Sequence, residues 1–452
     1  MQLPGHSEGF ILLRWANYSK VPIHSHGLAG QLMSRKIFAS NLLCFCLLAV
    51  AGCSLTSEQR IVKPIQTGYS VEDSAFRDSM SRLLAAPLVE SNSIVTLLNG
   101  DQIFPAMLDS IRQAQRTITI EQYIWSPGKV STEFVNALTE RARAGVKVHI
   151  IVDGIGSMKL TKRDLQPLLE AGGEFVRFNP PRWLRLFKVQ HRTHRKLMVV
   201  DGKIGFTGGI CMADEWLGNA ESREVWREIH FRVEGPVVAQ IQAAFMDNWI
   251  ETRSEILDGH DYFGQALPTG AAVAQYFKSG PTDGAENARL SYLLSIAAAR
   301  KTIRLAHAYF VPDEAAVEAL LDARRRGVRI EAIVPAKTDA AVVGQASRAR
   351  WGKLLEAGVE FYEYQPSLYH PKIMIVDDAW VTAGSVNFDE RSFRMNDEAN
   401  LNVLDRGFAA RLTAIFNEDK AKSRRLTAGH LKKRPWPVRW WESFVGLFHS
   451  QM

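Results

Sequence analysis

Residues 194–209 read HRKLMVVDGKIGFTGG, and residues 370–385 read HPKIMIVDDAWVTAGS. Each stretch carries an apolar run, then Asp201-Gly202 or Asp377-Asp378, then a second apolar run, which predicts a strand, a tight turn and a returning strand. Moving outward, LLEAGGEFVRFNP (168–180) matches LLEAGVEFYEYQP (354–366). Further upstream, ALTERARAGVKVHIIVD (137–153) matches ALLDARRRGVRIEAIVP (319–335). Both members of that last pair predict a basic amphipathic helix, a Gly-Val turn and a β-branched strand. The sequence therefore predicts an α/β protein made of two tandem α/β/α repeats. A pseudo-twofold axis would relate them, with one active site shared at their interface.

The duplicated stretches also repeat a chemical pattern. His194, Lys196 and Asp201 have the spacing of His370, Lys372 and Asp377. A single histidine is most often a satisfied core residue; the same histidine in both copies of a duplication points to chemistry. Side chains alternate along a strand, so His194 and Lys196 share one face, as do His370 and Lys372. The aspartates have the opposite parity and fall at the turn, which makes them architectural members of the catalytic motif. Two imidazoles and two ammonium groups meeting across the axis suit a phosphodiester. One imidazole attacks phosphorus, the other protonates the leaving alcohol and then deprotonates the incoming one, and the lysines neutralise the non-bridging oxygens. The pattern calls for no metal and no cofactor: a site built on His191 and His194 would have a lysine repelling the cation and lacks a closed Cys/His ligand set.

With 452 residues the chain is long enough for two to four domains of roughly 100–200 residues. Hydrophobic residues make up 46% and charged residues 23%, which excludes whole-chain disorder. The formal charge of +7 favours anionic partners without choosing between membrane phosphate and nucleic acid. Four cysteines cannot form a disulfide framework. Residues 42–51, LLCFCLLAVA, follow Arg35 and Lys36 and precede Gly52-Cys53, the layout of an export signal. Val50-Ala51-Gly52-Cys53 is similar to a bacterial lipobox, which would make Cys53 the lipidated N-terminus, and Met33 would be a conventional start. The competing account is a membrane-anchoring or buried helix with an incidental Cys53.

At the histidine motifs the chain resembles the phospholipase D superfamily, and within it the bacterial cardiolipin synthases. The likeness spans about residues 95–410 and includes Gly384-Ser385-Val386-Asn387, Asp389-Glu390-Arg391-Ser392-Phe393 and Asn396-Asp397-Glu398-Ala399-Asn400. It also takes in the strand around Glu121 and Tyr123, Tyr309-Phe310-Val311-Pro312-Asp313-Glu314, and Glu234-Gly235-Pro236-Val237. The resemblance implies that Ser385 and Asn387 bind phosphate, that Glu228 and Glu398 orient the histidines, and that His194 attacks while His370 serves as acid and base. It implies a phosphatidyl donor, phosphatidylglycerol, and a second phosphatidylglycerol as acceptor, giving cardiolipin. Two departures stand out. Cys211 occupies the place matching Asn387, and a lipid anchor replaces the transmembrane helices many relatives start with.

The expected layout is an upstream extension (1–32), a lipoprotein-type signal (33–52), a linker (53–95), the two repeats (96–265 and 266–410) and a basic-aromatic C-terminal segment (411–452). In the last, Lys432, Lys433 and Arg434 precede Trp436, Trp440, Trp441, Phe444, Leu447 and Phe448, a pattern suited to a membrane surface. The loop Pro180–Lys188, with its alternating Arg, Trp and Phe, has the same character or packs on the body. The partners expected are anionic phospholipid and the membrane surface of a bacterial envelope, without nucleic acid or an obligate protein partner. The alternatives are a phospholipase D, a nuclease of the superfamily, and a non-catalytic envelope scaffold; the two intact His/Lys pairs oppose the scaffold.

Overall fold

The computed structural model describes residues 61–427 except 62, 182–189, 265–266 and 339–340, together with residue 429. The first repeat contributes strands β1 (Val89–Leu98), β2 (Thr117–Gln122), β3 (Lys147–Asp153), β4 (Glu174–Phe178), β5 (Arg192–Thr193), β6 (Leu197–Val200), β7 (Ile204–Gly208) and β8 (Ile229–Glu234). The second contributes β9 (Ala272–Ser279), β10 (Thr302–His307), β11 (Phe310–Val311), β12 (Arg329–Pro335) and β13 (Glu360–Tyr364). It continues with β14 (Lys372–Val376), β15 (Trp380–Gly384), β16 (Phe388–Asp389), β17 (Asn396–Leu404) and β18 (Ser423–Leu426).

The main sheet has the order β18-β13-β12-β10-β14-β15-β17-β9-β1-β8-β7-β6-β2-β3-β4. Outward from the antiparallel β1–β9 contact, one side runs β8, β7, β6, β2, β3, β4 and the other β17, β15, β14, β10, β12, β13. Each of these strands thus lies as far from the centre as its duplicate, the order a twofold relation between repeats requires, with β18 added outside β13. Strands β2, β3 and β4 pair in parallel, as do β10, β12 and β13. Being covered on both faces, β2 and β3 are buried along nearly their whole length.

Local sequence explains the elements. The helix Lys129–Arg143 buries Val130, Phe134, Leu138 and Ala142, a three-to-four residue spacing that puts them on one face. Gly145 follows it at φ +91°, and Gly327 follows the helix Glu314–Arg325 at φ +87°. This left-handed conformation reverses the chain into β3 and β12, and glycine adopts it without steric cost. In the β6–β7 and β14–β15 hairpins, Asp201 and Gly202 take φ of +54° and +61°, and Asp377 and Asp378 both take +53°. Two successive positive φ values give the turn whose twist matches the flanking strands.

The core has three parts. One lies within the first repeat, among residues such as Phe134, Ile150, Met198 and Phe206. Another lies within the second, around Leu305, Leu320, Phe361 and Trp380. The third draws on both: Leu197, Val199, Phe231 and Phe245 from the first repeat join Ile373, Ile375, Leu401 and Phe416 from the second.

The chain departs from the expected layout at both ends. Within the stretch read as a linker, residues Ser74–Leu83 form a helix whose Phe76 and Met80 are fully buried in the second repeat's core. The Phe76 ring meets Trp380 edge-on at 4.9 Å. Their i, i+4 spacing is a short amphipathic signal, too brief to stand out from the sequence. At the other end, a boundary at residue 411 would cut through the helix Arg406–Ala421, which buries Leu412, Ile415 and Phe416. Strand β18 then adds antiparallel to β13. Both pieces complete the second repeat, since the apolar side chains that follow residue 410 face its sheet. The signal segment, Cys53, residues 182–188 of the aromatic loop and the tail from residue 430 lie outside the described residues. Among the described residues no helix is long and apolar enough to cross a membrane.

If residues 74–83 belong to the core, Phe76→Ala should lower stability by about 3–5 kcal/mol in urea denaturation. A change below about 1 kcal/mol would return the segment to a linker.

Candidate active site

Each histidine is held at the interface by the other repeat. Strand β5 pairs in parallel with β17, Arg192 opposite Asn396 and Thr193 opposite Asp397. The His194 N–H then donates to the Asp397 carbonyl at 2.8 Å. On the other side Arg227 bridges Tyr369 in parallel, and the His370 N–H donates to the Arg227 carbonyl at 2.9 Å. The next residue of each supporting strand end is a glutamate with no solvent exposure. Glu398 places both carboxylate oxygens 2.9 Å from His194 Nδ1. Glu228 places Oε2 2.5 Å from His370 Nδ1. Each carboxylate therefore orients the opposite repeat's imidazole and, for His194, turns Nε2 away from the glutamate with its lone pair available.

Lys196 Nζ and Lys372 Nζ each donate to the carbonyl of the preceding histidine at 2.6 Å. Lys372 also lies 3.0 Å from His370 Nε2. The aspartates stand apart from this cluster. Asp201 accepts from the backbone N–H groups of Gln115, Arg116 and Thr117 at 2.9, 2.7 and 3.0 Å. Asp377 accepts from those of Arg300, Lys301 and Thr302 at 2.7, 2.7 and 2.8 Å. Each thus pins the hairpin behind its histidine to the start of β2 or β10, and so fixes where the His-x-Lys strand begins.

His194 and His370 line one cavity of about 350 Å³, together with Lys196, Cys211, Asn387, Asp389, Arg192 and Arg391. Aromatic rings form much of its wall. Tyr123 meets the His194 ring edge-on at 4.8 Å, and Trp216 and Trp226 lie 5.5 and 5.2 Å from the His370 ring. Burial pushes His194 down to about 4, with Glu398 only partly opposing, so the ring is neutral at ordinary pH. Burial likewise lowers Lys196, and brings Lys372 down to about 8. Burial raises both glutamates' affinity for a proton, yet the outcomes differ. His194, Lys196 and Ser385 together hold Glu398 below the usual range, whereas Glu228 stays raised.

The two carboxylates also differ in their hydroxyl neighbours. Ser385, expected to bind phosphate, is not on the cavity wall; its hydroxyl donates to Glu398 Oε2 at 2.6 Å. The corresponding position in the first repeat is Gly209, where a Cβ would stand 2.5 Å from Glu228 Oε2. Glu228 instead accepts from its neighbour Ile229 N–H at 2.9 Å and, weakly, from Trp216 Nε1 at 3.4 Å. Asn387 does line the cavity, and its buried Oδ1 has no hydrogen-bond partner. Cys211, its counterpart, is a buried thiol on the same wall. His191 is bound elsewhere, its Nε2 2.8 Å from Asp397 Oδ1.

Comparison with known proteins places the chain in a family. A family model described as cardiolipin synthase, PLD-like domain, matches residues 107–249 and 292–420, one segment in each repeat. Cardiolipin synthase 1 of Bacillus cereus is 34% identical over 371 residues, covering 80% of this chain and 73% of that protein. The chain belongs to the cardiolipin synthase-like phospholipase D family. Membership makes it a phospholipase D-family phosphatidyltransferase. Cardiolipin synthase A of Pseudomonas fluorescens is also 34% identical, over 349 residues that cover 77% of this chain and 72% of its own. Among solved structures, phosphatidylserine synthase of Haemophilus influenzae superposes with a TM-score of 0.64 at 14% identity, covering 83% of this chain and 99% of that one. That likeness shows a shared fold.

Sequence reasoning missed Trp216, Trp226 and Arg391 as cavity residues. Trp226 lies two residues before Glu228, and Trp216 precedes a polar loop, so neither carries a periodic signal. Arg391 was visible inside the DERSF stretch, but only the fold turns it toward the histidines.

Buried neutral histidines also set an acid response. Burial lowers His149 to about 4 and His230 and His307 to about 3, alongside His194. The unfolded chain takes up a proton at each below about pH 6.5, whereas the folded chain does so only near its depressed value. Stability is therefore full above that pH and is lost progressively as pH falls toward about 3. Both His307 nitrogens lack partners and its ring faces Tyr292, Phe310 and Phe388. Accordingly His307→Phe should flatten the slope of unfolding free energy against pH between 6 and 4, and an unchanged slope would refute this account.

Proposed function

We propose that the chain transfers a phosphatidyl group from phosphatidylglycerol to the free hydroxyl of a second phosphatidylglycerol, releasing glycerol and forming cardiolipin. The reading rests above all on one observation: imidazoles from the two repeats line one cavity, each with Nδ1 held by a buried carboxylate of the other repeat.

His194 is the nucleophile. Its ring is neutral, and Nδ1–H donated to Glu398 leaves the Nε2 lone pair to attack phosphorus. As the P–N bond forms, the bond from phosphorus to the glycerol oxygen breaks, and that oxygen takes a proton from His370. The acceptor hydroxyl then attacks phosphorus from the vacated side, returns its proton to His370, and the P–N bond breaks. Splitting the displacement in two lets one site both cleave and rebuild the diester. Lys196, Lys372 and the Asn387 amide stabilise charge on the non-bridging oxygens. The asymmetry between Glu398 and Glu228 supports this order: a firmly ionised carboxylate keeps His194 in the attacking tautomer, while His370 has to exchange its proton in each half-reaction. Attachment to the membrane through lipidated Cys53 and the basic-aromatic tail belongs to the same proposal and rests on the sequence pattern.

Full-length enzyme in phosphatidylglycerol vesicles should yield cardiolipin and glycerol in equal amounts. Phosphatidic acid without cardiolipin would make it a hydrolase instead. His194→Ala and His370→Ala should each lower turnover by at least about 10³-fold with an unchanged circular-dichroism spectrum; near-normal activity in either would sink the shared-site mechanism. Rapid quenching should find the acid-labile phosphoryl adduct on the peptide carrying His194, not the one carrying His370.

A further inference from the structure

Arg391 is a cation of the catalytic cavity, two residues from Asp389, that the described residues hold only loosely. Lys196 donates to the His194 carbonyl at 2.6 Å, and Arg192 has Asp153 at 3.8 Å. Arg391 makes two long bonds, from its terminal nitrogens to Oε1 and the carbonyl of Gln190, at 3.4 and 3.3 Å. No carboxylate among the described residues forms an ion pair with it. It is also held in place: it sits in the helix Glu390–Arg394, whose N-cap Asp389 accepts from the Ser392 N–H at 2.7 Å. The duplication sharpens the point. At the offset that superposes His194 on His370, Glu215 falls where Arg391 stands, so the first repeat supplies no matching cation there.

The reaction presents a second anion that the histidines and lysines do not accommodate. When an anionic lipid is the acceptor, its reacting hydroxyl is separated from its own phosphodiester by the glycerol carbons. With the hydroxyl at the phosphorus, the acceptor's phosphate must lie farther along the cavity wall, near a phosphatidyl group that already carries negative charge. Like charges this close repel, and a cation beside the second phosphate offsets that repulsion. A guanidinium suits that place, since its planar fork donates two parallel hydrogen bonds to a phosphate.

We propose that Arg391 binds the phosphate of the acceptor lipid, and thereby directs the phosphatidyl group to an anionic lipid rather than to water or an uncharged alcohol. This rests on the phosphatidyl-transfer reading above and specifies its acceptor side. Arg391 takes no part in forming or resolving the bond to His194.

The test uses competition. Full-length enzyme in phosphatidylglycerol vesicles is given ethanol, and cardiolipin, phosphatidylethanol and phosphatidic acid are measured together. All three arise from one covalent intermediate, so their ratio is independent of the donor step. Arg391→Gln should lower the ratio of cardiolipin to phosphatidylethanol by about tenfold or more. The phosphatidyl flux lost from cardiolipin should appear instead in phosphatidylethanol and phosphatidic acid. Arg391→Lys, which keeps the charge but loses the fork, should recover part of the ratio. An equal loss of all three products would assign Arg391 to the donor step or to folding, and an unchanged ratio would remove it from acceptor binding; either overturns the proposal. Failure of the parent reading looks different: the unmodified enzyme would then make no cardiolipin at all, and the proposal would fall with it.

Discussion

Two fully buried carboxylates cross the interface between the repeats, Glu398 to His194 and Glu228 to His370. A carboxylate removed from water is costly unless hydrogen-bond donors surround it. Here a principal donor to each is an imidazole of the opposite repeat. Pulling the repeats apart would leave both carboxylates short of a partner and both rings without orientation. Assembly of the duplicated body and assembly of the catalytic cluster are thus a single event. The surrounding structure agrees: the supporting strand ends exchange backbone hydrogen bonds with the histidine segments, and a common apolar core draws on both repeats.

Pseudo-symmetry brings equivalent groups together, but the chemistry needs unequal ones. One imidazole attacks while the other moves protons, and one lipid is split while the other is extended. The chain breaks its symmetry with few substitutions. Ser385 against Gly209 gives Glu398 a hydroxyl donor that Glu228 lacks. Asn387 against Cys211 gives the cavity an amide from one repeat and a thiol from the other, and Arg391 adds a guanidinium from the second repeat. Trp216, whose counterpart is Ser392, meets the His370 ring, so that end of the cavity is aromatic. Backbone duplication supplies the frame, and these side chains assign the roles.

Much of this is legible in the sequence. Apolar runs on either side of tight acidic turns marked the hairpins, and the matched segments located the repeats. Strand parity separated the aspartates from the His/Lys face, and their three-fold backbone bonding shows why an acid stands at a turn. What escaped was the role of residues with no periodicity: the short helix Ser74–Leu83, the helix running through residue 411, and Trp216 and Trp226. Ser385 escaped differently. Its neighbours made phosphate binding plausible, but in the fold its hydroxyl is used by Glu398.

The sequence by itself determined the duplication, the hairpins and the pair of His-x-Lys faces, because each is a local pattern that the backbone periods of 2 and 3.6 translate directly into geometry. Tertiary structure alone decided that each glutamate serves the other repeat's histidine and that Arg391 faces the cavity. Those facts depend on which surfaces dock, and docking is governed by burial and charge compensation between residues far apart in the chain, which no local pattern encodes.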